Sequence, residues 1–272
     1  MQIEVVDNCS TIDDPEPVVK TIAGDRITFT RNAQNVGLMG NFNRCIERSR
    51  GHLIQILHSD DYVEPTFYSA ISNLAVRNPD CGFLASRVFV VDETEVIIEV
   101  SRRVKWMENP THDVTPMLQT QYFLFPGVVV RRALYEQCGG FKPGLVYCGD
   151  WEMWVRAVHF GGGVAHNQPL ANWRLSAGNE SARLARLGED VRDYLRLNGE
   201  FSRYPGFSAP VLRDQAAWRA LEGYQRFASE GDVAAAQINL KLYRQLVPLP
   251  VRAARGALGG LRHIVRRVKR LG

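Results

Sequence analysis

The chain has 272 residues, 45% hydrophobic and 23% charged, a balance that excludes wholesale disorder and fibrous repeats. The longest apolar run, Phe123 to Val130, is too short to span a bilayer, and the first residues lack a basic start and a long apolar core, so neither a transmembrane helix nor a secretory signal is expected. Seven of the 33 basic residues follow Pro248, where no acid occurs, leaving 26 bases against 29 acids in the remainder; the basic excess belongs to the tail.

Residues 3–6 (IEVV) read as a buried strand closed by the polar cluster Asp7 to Asp14. Residues 26–30 (RITFT) alternate as a second strand. Leu38, Phe42, Cys45 and Ile46 stand at helical spacing within 37–50, and Gly51 caps that helix. LIQIL (53–57) is a short apolar strand that stops at His58-Ser59-Asp60-Asp61. A helix over 65–78 and a strand over 81–91 follow. Strands alternating with helices of this length predict an α/β fold with a doubly wound, mostly parallel sheet.

Asp92–Val100 reads as a β-excursion, followed by a loop with a short helix to Gln121. FLFPGVVV is strand-like and leads into a helix within 128–138. The Gly/Pro-rich GGFKPGLVYCGD runs into a helix, DWEMWVRAVHF, closed by Gly161, Gly162 and Gly163. After Ser181 the pattern turns to long helices over 183–202, 211–230 and 232–246. The expected organisation is a domain over 1–182, a helical extension over 183–247 and a basic tail over 248–272. The five cysteines form no CxxC pair and their number is odd, so a reducing cytoplasm fits better than a disulfide framework or a zinc site.

Three segments carry chemistry. Asp60 and Asp61 follow a buried strand at its C-terminal end, where open α/β sheets bind ligands. Adjacent acids repel, so the pair reads as a site for a hard cation such as Mg²⁺ or Mn²⁺, or else as a solvated turn in which Asp60 caps the next helix. His58 stands beside them and can join such a site. Asp7, Asn8, Ser10 and Thr11 offer donors and acceptors to a nucleobase or ribose, or else open a helix with Ser10 or Thr11 as cap. Asp150 lies where a Gly-rich loop meets a helix and suits a general base toward a hydroxyl, or an N-cap. Trp151 and Trp154 suit a sugar ring or a packed core. Glu152 is the competing carboxylate, read as lying on the helix surface and pairing with Arg156 at i, i+4. His159 and His166 read as structural side chains.

In this order and spacing the three segments resemble family 2 glycosyltransferases of the GT-A fold, over about residues 1–181. VDNCSTID resembles that family's nucleotide-binding segment. NVGLMGNFNRCIERSRG resembles its following helix through Asn35, Gly37, Asn43, Ile46 and Gly51. LHSDD resembles its metal segment, GGF…GDWEMWVR its acceptor-side loop with the catalytic acid, and WRLSAGNES its closing segment. The resemblance implies a Rossmann-like, mostly parallel mixed sheet flanked by helices, with a C-terminal helical extension. It implies transfer of a sugar from a nucleotide-sugar donor to a saccharide or lipid-linked hydroxyl acceptor in cell-surface polysaccharide or glycolipid synthesis, with inversion and a divalent metal. Asp7, Asn8, Ser10, Asn35, Asn43 and Asp60 then bind donor, Asp61 holds the cation, and Asp150 is the base. Trp151, Trp154 and Glu152 fall on the acceptor side. The alternative is a non-catalytic sugar- or nucleotide-binding relative.

Several positions depart from the family pattern. His58 stands where an acid is frequent, Gly149 where Glu is frequent, and Ser176 where His is usual. The family's first strand and helix precede the segment matching Ile3–Asp7, so the expectation is that Met1 is internal and that roughly one further βα unit, about 30 residues or more, lies upstream. The tail can place Val251, Leu258, Leu261, Ile264, Val265 and Val268 on one helical face with arginines opposite, which suits an anionic inner leaflet, or else, broken by Gly256, Gly259 and Gly260, it is a solvated, disordered segment. It carries no recognised nucleic-acid fold, so nucleic acid is not an expected partner. A cytoplasmic protein, peripheral at the inner membrane face, is expected.

Overall fold

The apolar run Phe83–Val91 forms β5, and the larger sheet is built around it. A strand covered on both faces reads as a near-continuous apolar run, and Phe83, Leu84 and Ala85 are fully buried. In the computed structural model, which describes residues 1–176 and 178–248, β8 (Gly163–Arg174) runs parallel to β5 from Phe83↔Gly163 to Val91↔Arg174. β7 (Val128–Arg131) pairs antiparallel with the first part of β5, and β6 (Ile97–Val100) with the last. β3 (Leu53–Ile54) lies outside β7, and β4 (Tyr62–Val63) lies outside β8. The order is β3-β7-β5-β8-β4.

A separate parallel pair is formed by β1 (Glu4–Asp7) and β2 (Thr28–Arg31). Both parallel ladders are longer than any antiparallel one, and helices flank the strands. This is the expected mixed α/β class. The helices are α1 (Pro15–Ala23), α2 (Leu38–Arg48), α3 (Phe67–Arg77), α4 (Arg132–Cys138) and α5 (Gly149–Gly161). Phe67, Ile71, Leu74 and Ala75 of α3 pack on Leu84, Val88, Val129, Val164 and Ala171 of the sheet. Helix α5 is buried almost all round, as a helix inside a core must be.

Several elements differ from the sequence reading, among them α1, which it gave only as an alternative, and β4, which it did not contain. The run 53–57 is a strand only at Leu53–Ile54; beyond it Gln55 donates its side chain to the Pro126 carbonyl at 2.7 Å. Helix α2 ends at Arg48 with Ser49 as cap, before Gly51. The longest strand, β8, has no counterpart in that reading. Asn167, Gln168 and Pro169 break its apolar pattern, and the register jumps from Ser86↔His166 to Arg87↔Pro169. It shifts again to Val88↔Ala171, so Asn167, Gln168 and Leu170 fall outside the ladder without ending the strand.

The chain divides into two compact units, one of residues 1–179 and 199–207, the other of 180–198 and those from 208 on. The second unit is helical. Where one helix was expected over 183–202, the structure has α6 (Glu180–Arg186) and α7 (Glu189–Phe201), separated at Gly188 with φ +70°. Helices α8 (Ala209–Ser229) and α9 (Val233–Leu246) follow, and Asp232 caps α9 through the Ala235 amide at 3.1 Å. Val191, Ala216, Ala217, Ala220, Leu242 and Tyr243 form their core. Apart from Pro248, the expected tail lies outside the described residues. Among the described residues no helix is long and apolar enough to cross a membrane.

Gly188 supports a direct test. A Cβ there would meet Leu242 Cδ1 at 2.5 Å, on a backbone already left-handed. Left-handed backbone costs an L-residue about 1–2 kcal/mol, and overpacking adds about 1–3 kcal/mol. Gly188→Ala is expected to lower stability by at least about 1 kcal/mol in denaturant unfolding; a neutral result would contradict this geometry.

Candidate active site

The site begins where β1 ends. Asp7 is 7% exposed. Its carboxylate accepts from the Ser10 hydroxyl and amide and from Arg31 Nε at 2.6 Å. Burial pushes this carboxyl up, but the hydrogen bonds from Ser10 and Arg31 outweigh it and hold it below its usual range. Arg31 also pairs with Asp14, and Asp14, rather than Ser10 or Thr11, caps α1 through the Glu16 amide.

Asparagines hold the next turn. Asn8 Nδ2 donates to Asn35 Oδ1 at 3.0 Å and to the Gly37 carbonyl at 3.2 Å, while Asn8 Oδ1 accepts from the Val36 amide at 3.0 Å and from Asn32 at 3.2 Å. Asn41 accepts from Asn32 and donates to the Val6 carbonyl. Asn8, Asn32, Asn35 and Asn41 therefore lock the ends of β1 and β2 to the start of α2. Asn43 is a correction. Its amide is spent on the main chain of Phe141, donating at 2.9 Å and accepting at 2.7 Å. It clamps the Gly-rich loop rather than facing a donor.

The turn 58–61 follows β3. Asp61 Oδ1 accepts from the Arg174 amide at 2.9 Å, and Arg174 Nε donates to the Asp60 carbonyl at 3.0 Å. The guanidinium also pairs with Glu95 and lies over the Tyr62 ring. The Asp61 side chain is 1% exposed, and its Oδ2 has no hydrogen-bond partner among the described residues. Burial pushes its carboxyl up to about 7. His58 Nδ1 stands 3.8 Å from that Oδ2, and burial pushes the imidazole down, so the ring is neutral at pH 7. Donor atoms of His58, Asp60 and Asp61 all lie within 4.8 Å of one another. A buried oxygen with no partner beside a neutral imidazole fits a divalent cation better than a solvated turn.

Asp150 sits in the first turn of α5, with Cys148 rather than Asp150 at the N-cap. It is half-buried. Gln121 Nε2 donates to its Oδ2 at 2.6 Å and the Trp151 amide to its Oδ1 at 2.7 Å. The three residues expected on the acceptor side are corrected. Trp151 is 1% exposed and donates Nε1 to the Met117 carbonyl at 2.6 Å. Trp154 is 2% exposed among Phe83, Phe125 and Phe141. Glu152 pairs with Arg156 at 2.8 Å as expected, but inside the core at 1% exposure rather than on the surface. Lys142 also reaches it at 3.1 Å. Arg156 donates to the carbonyls of Cys138, Gly139 and Gly140, so the pair holds the loop that leads to Asp150.

Aromatic packing links these parts. Phe42 of α2 stacks on His58 with centroids 5.1 Å apart, Phe125 lies 4.5 Å from His58, and Phe125 and Phe141 both pack edge-on to Trp154. The turn 58–61 and the helix of Asp150 thus share one apolar wall. Beside it a cleft of about 520 Å³ opens between β1, β3 and α2, lined by Val5, Val6, Leu38, Asn41, Phe42 and His58 among others. That volume lies in the range of small-molecule sites. The roles of Arg31, Asn32, Asn41, Gln121 and Arg174 were missed in the sequence, although Asn41 and Arg174 lie inside segments that carried the resemblance. The Glu152–Arg156 pair was read from its spacing, but not the hold of Arg156 on the loop.

The model of glycosyl transferase family 2 matches residues 1–139, and the chain belongs to that family. An uncharacterised protein of Mycobacterium tuberculosis is 30% identical over 217 residues, 72% of this chain and 65% of its own length. An uncharacterised glycosyltransferase of Methanocaldococcus jannaschii is 23% identical over 133 residues, 49% of this chain and 45% of its own. The chain thus spans less than two thirds of either curated relative. Among solved structures, a mannosyltransferase from Pyrobaculum calidifontis in complex with GDP-Man and Mn²⁺ superposes with TM-score 0.55 at 14% identity, covering 96% of this chain and 70% of that one. Residues 1–349 of S. aureus TarS with UDP give 0.50 at 14% identity, covering 91% and 83%. These likenesses show a shared fold.

The Glu152–Arg156 pair is testable by pH. Burial alone pushes the Glu152 carboxyl up, but hydrogen bonding and charge from Arg156 hold it below its ordinary value of 4.5. Its contribution is complete above that value and is lost as pH falls through the depressed one. Glu152→Gln is expected to cost about 3–5 kcal/mol near neutrality, since it strands a buried guanidinium. The variant should also lose less stability on acidification than the wild type. Denaturant unfolding at neutral and acid pH measures both, and equal acid losses would contradict the assignment.

Proposed function

We propose that the chain transfers a sugar from a nucleotide-sugar donor to a hydroxyl acceptor, in one inverting displacement that depends on a divalent cation. The observation carrying this reading is the buried, unpartnered Asp61 oxygen beside Asp60 and His58, in a chain of the glycosyl transferase family 2. Asp61 and Asp60 are the residues that would hold the cation, which when bound neutralises charge developing on the nucleoside-diphosphate leaving group.

The remaining steps belong to this chain's side chains. Asp7 positions Ser10 and Arg31, which form the polar rim for the nucleoside on the turn that Asn8 holds. Asp150, oriented by Gln121, takes the proton of the acceptor hydroxyl as its oxygen bonds to the anomeric carbon and the bond to the diphosphate breaks. The acceptor is a saccharide or a lipid-linked sugar, on the surface beyond the buried tryptophans. The basic segment after Pro248 favours an acceptor presented at an anionic membrane.

Nucleotide sugars that bind the folded chain will raise its melting temperature, which selects the donor. With that donor, Asp150→Asn is expected to reduce turnover about 10²–10⁴-fold while donor binding persists. Asp61→Ala is expected to abolish the metal-dependent part of donor binding. Near-normal turnover by Asp150→Asn would overturn the assignment of the base.

A further inference from the structure

We propose that His58 is itself a metal ligand, and that its ring nitrogen turns the site from Mg²⁺ toward first-row transition ions. The inference rests on the metal-dependent reading above and names the selectivity of that site. Three observations support it. His58 Nδ1 faces Asp61 Oδ2 at 3.8 Å, too far for a hydrogen bond and close enough for two ligands of one ion. Asp61 Oδ2 is buried and has no hydrogen-bond partner among the described residues. The imidazole is held by Phe42, stacked with an interplanar angle of 8°, and by Phe125, so it cannot swing away to solvent without losing that packing.

Ligands at about 2.0–2.2 Å from one ion stand at most about 4.4 Å apart. The donor atoms of His58, Asp60 and Asp61 lie within 4.8 Å of one another, so closure needs shifts of only a few tenths of an ångström. Two carboxylates alone would suit Mg²⁺, which prefers oxygen and keeps its waters. An imidazole in the set adds a donor that Mg²⁺ uses poorly and that transition ions use well, increasingly from Mn²⁺ to Co²⁺ and Ni²⁺. The aromatic wall makes His58 a rigid ligand, so its preference is imposed on the site.

The test uses the full chain with Mn²⁺, Mg²⁺ and Co²⁺ alone, without donor. Pulsed electron paramagnetic resonance of bound Mn²⁺ should show coupling to one imidazole ¹⁴N in the wild type. Competition titrations should show Co²⁺ and Mn²⁺ displacing Mg²⁺. In His58→Asp the coupling should vanish, and the Co²⁺ to Mg²⁺ affinity ratio should fall at least about tenfold. His58→Asn, nearer in shape, should also lose the coupling, and the wild-type spectrum is decisive even if neither variant folds. Bound Mn²⁺ without ¹⁴N coupling, an unchanged ratio in His58→Asp, or no Mn²⁺ binding at all would overturn the proposal. Mn²⁺ held by oxygen alone with sugar transfer intact removes the role of His58 and leaves transfer standing. Nitrogen-ligated Mn²⁺ with no transfer from any donor supports the ligand and removes the transfer.

Discussion

Arg156 is the residue on which the placement of Asp150 depends. Its guanidinium lies inside the core and reaches three main-chain carbonyls, at the end of α4 and in the loop beyond. Glu152, one turn earlier on α5, balances its charge. An uncompensated buried charge is strongly destabilising, so the loop cannot detach without a large cost. Asn43 grips the same loop from α2 through both edges of its amide. A Cβ at Gly140 would meet Asn43 Oδ1 at 2.2 Å, which is why this approach needs glycine. Held from both sides, α5 starts at a defined place and presents Asp150 in its first turn.

The apolar side of the same constraint is the aromatic wall of Phe42, His58, Phe125, Phe141 and Trp154. Rings at these separations and angles contribute beyond their buried area. They tie the turn carrying Asp60 and Asp61 to the helix carrying Asp150, although the two are far apart in the chain. Arg174 closes the turn 58–61 from β8, through its amide to Asp61 and its guanidinium to the Asp60 carbonyl. The bonds of Arg174 and the rings of Phe42, Phe125, Phe141 and Trp154 thus hold the turn and the helix in place from outside.

Much of this was legible in the sequence, because element ends announce themselves. An apolar run followed by polar residues placed Asp7 at the end of β1, whereas Asp61 lies beyond the short β3 and directly before β4; glycines around DWEMWVRAVHF bounded α5. The i, i+4 spacing gave the Glu152–Arg156 pair, but spacing does not report burial, and a helix surrounded on all sides has no solvent face to put Glu152 on. Trp151 and Trp154 failed as a sugar platform for the same reason. Asn43 matched a motif while its partner, Phe141, lay 98 residues away, a distance no local pattern spans. Strand β8 escaped because the bulge at Asn167 and Gln168 breaks the alternation that marks a strand. Arg174 was hidden in that same strand.

In the proposed reaction the turn 58–61 and Asp150 serve one centre. A crystal structure of the chain with Mn²⁺ and an intact, unreactive nucleotide-sugar analogue tests it most directly. The ion is expected on Asp61 Oδ2, and Asp150 within hydrogen-bond reach of a hydroxyl or water lying about 3–3.5 Å from the anomeric carbon, opposite the diphosphate. A donor seated with its anomeric carbon away from Asp150, or an ion bound without Asp61, would contradict it.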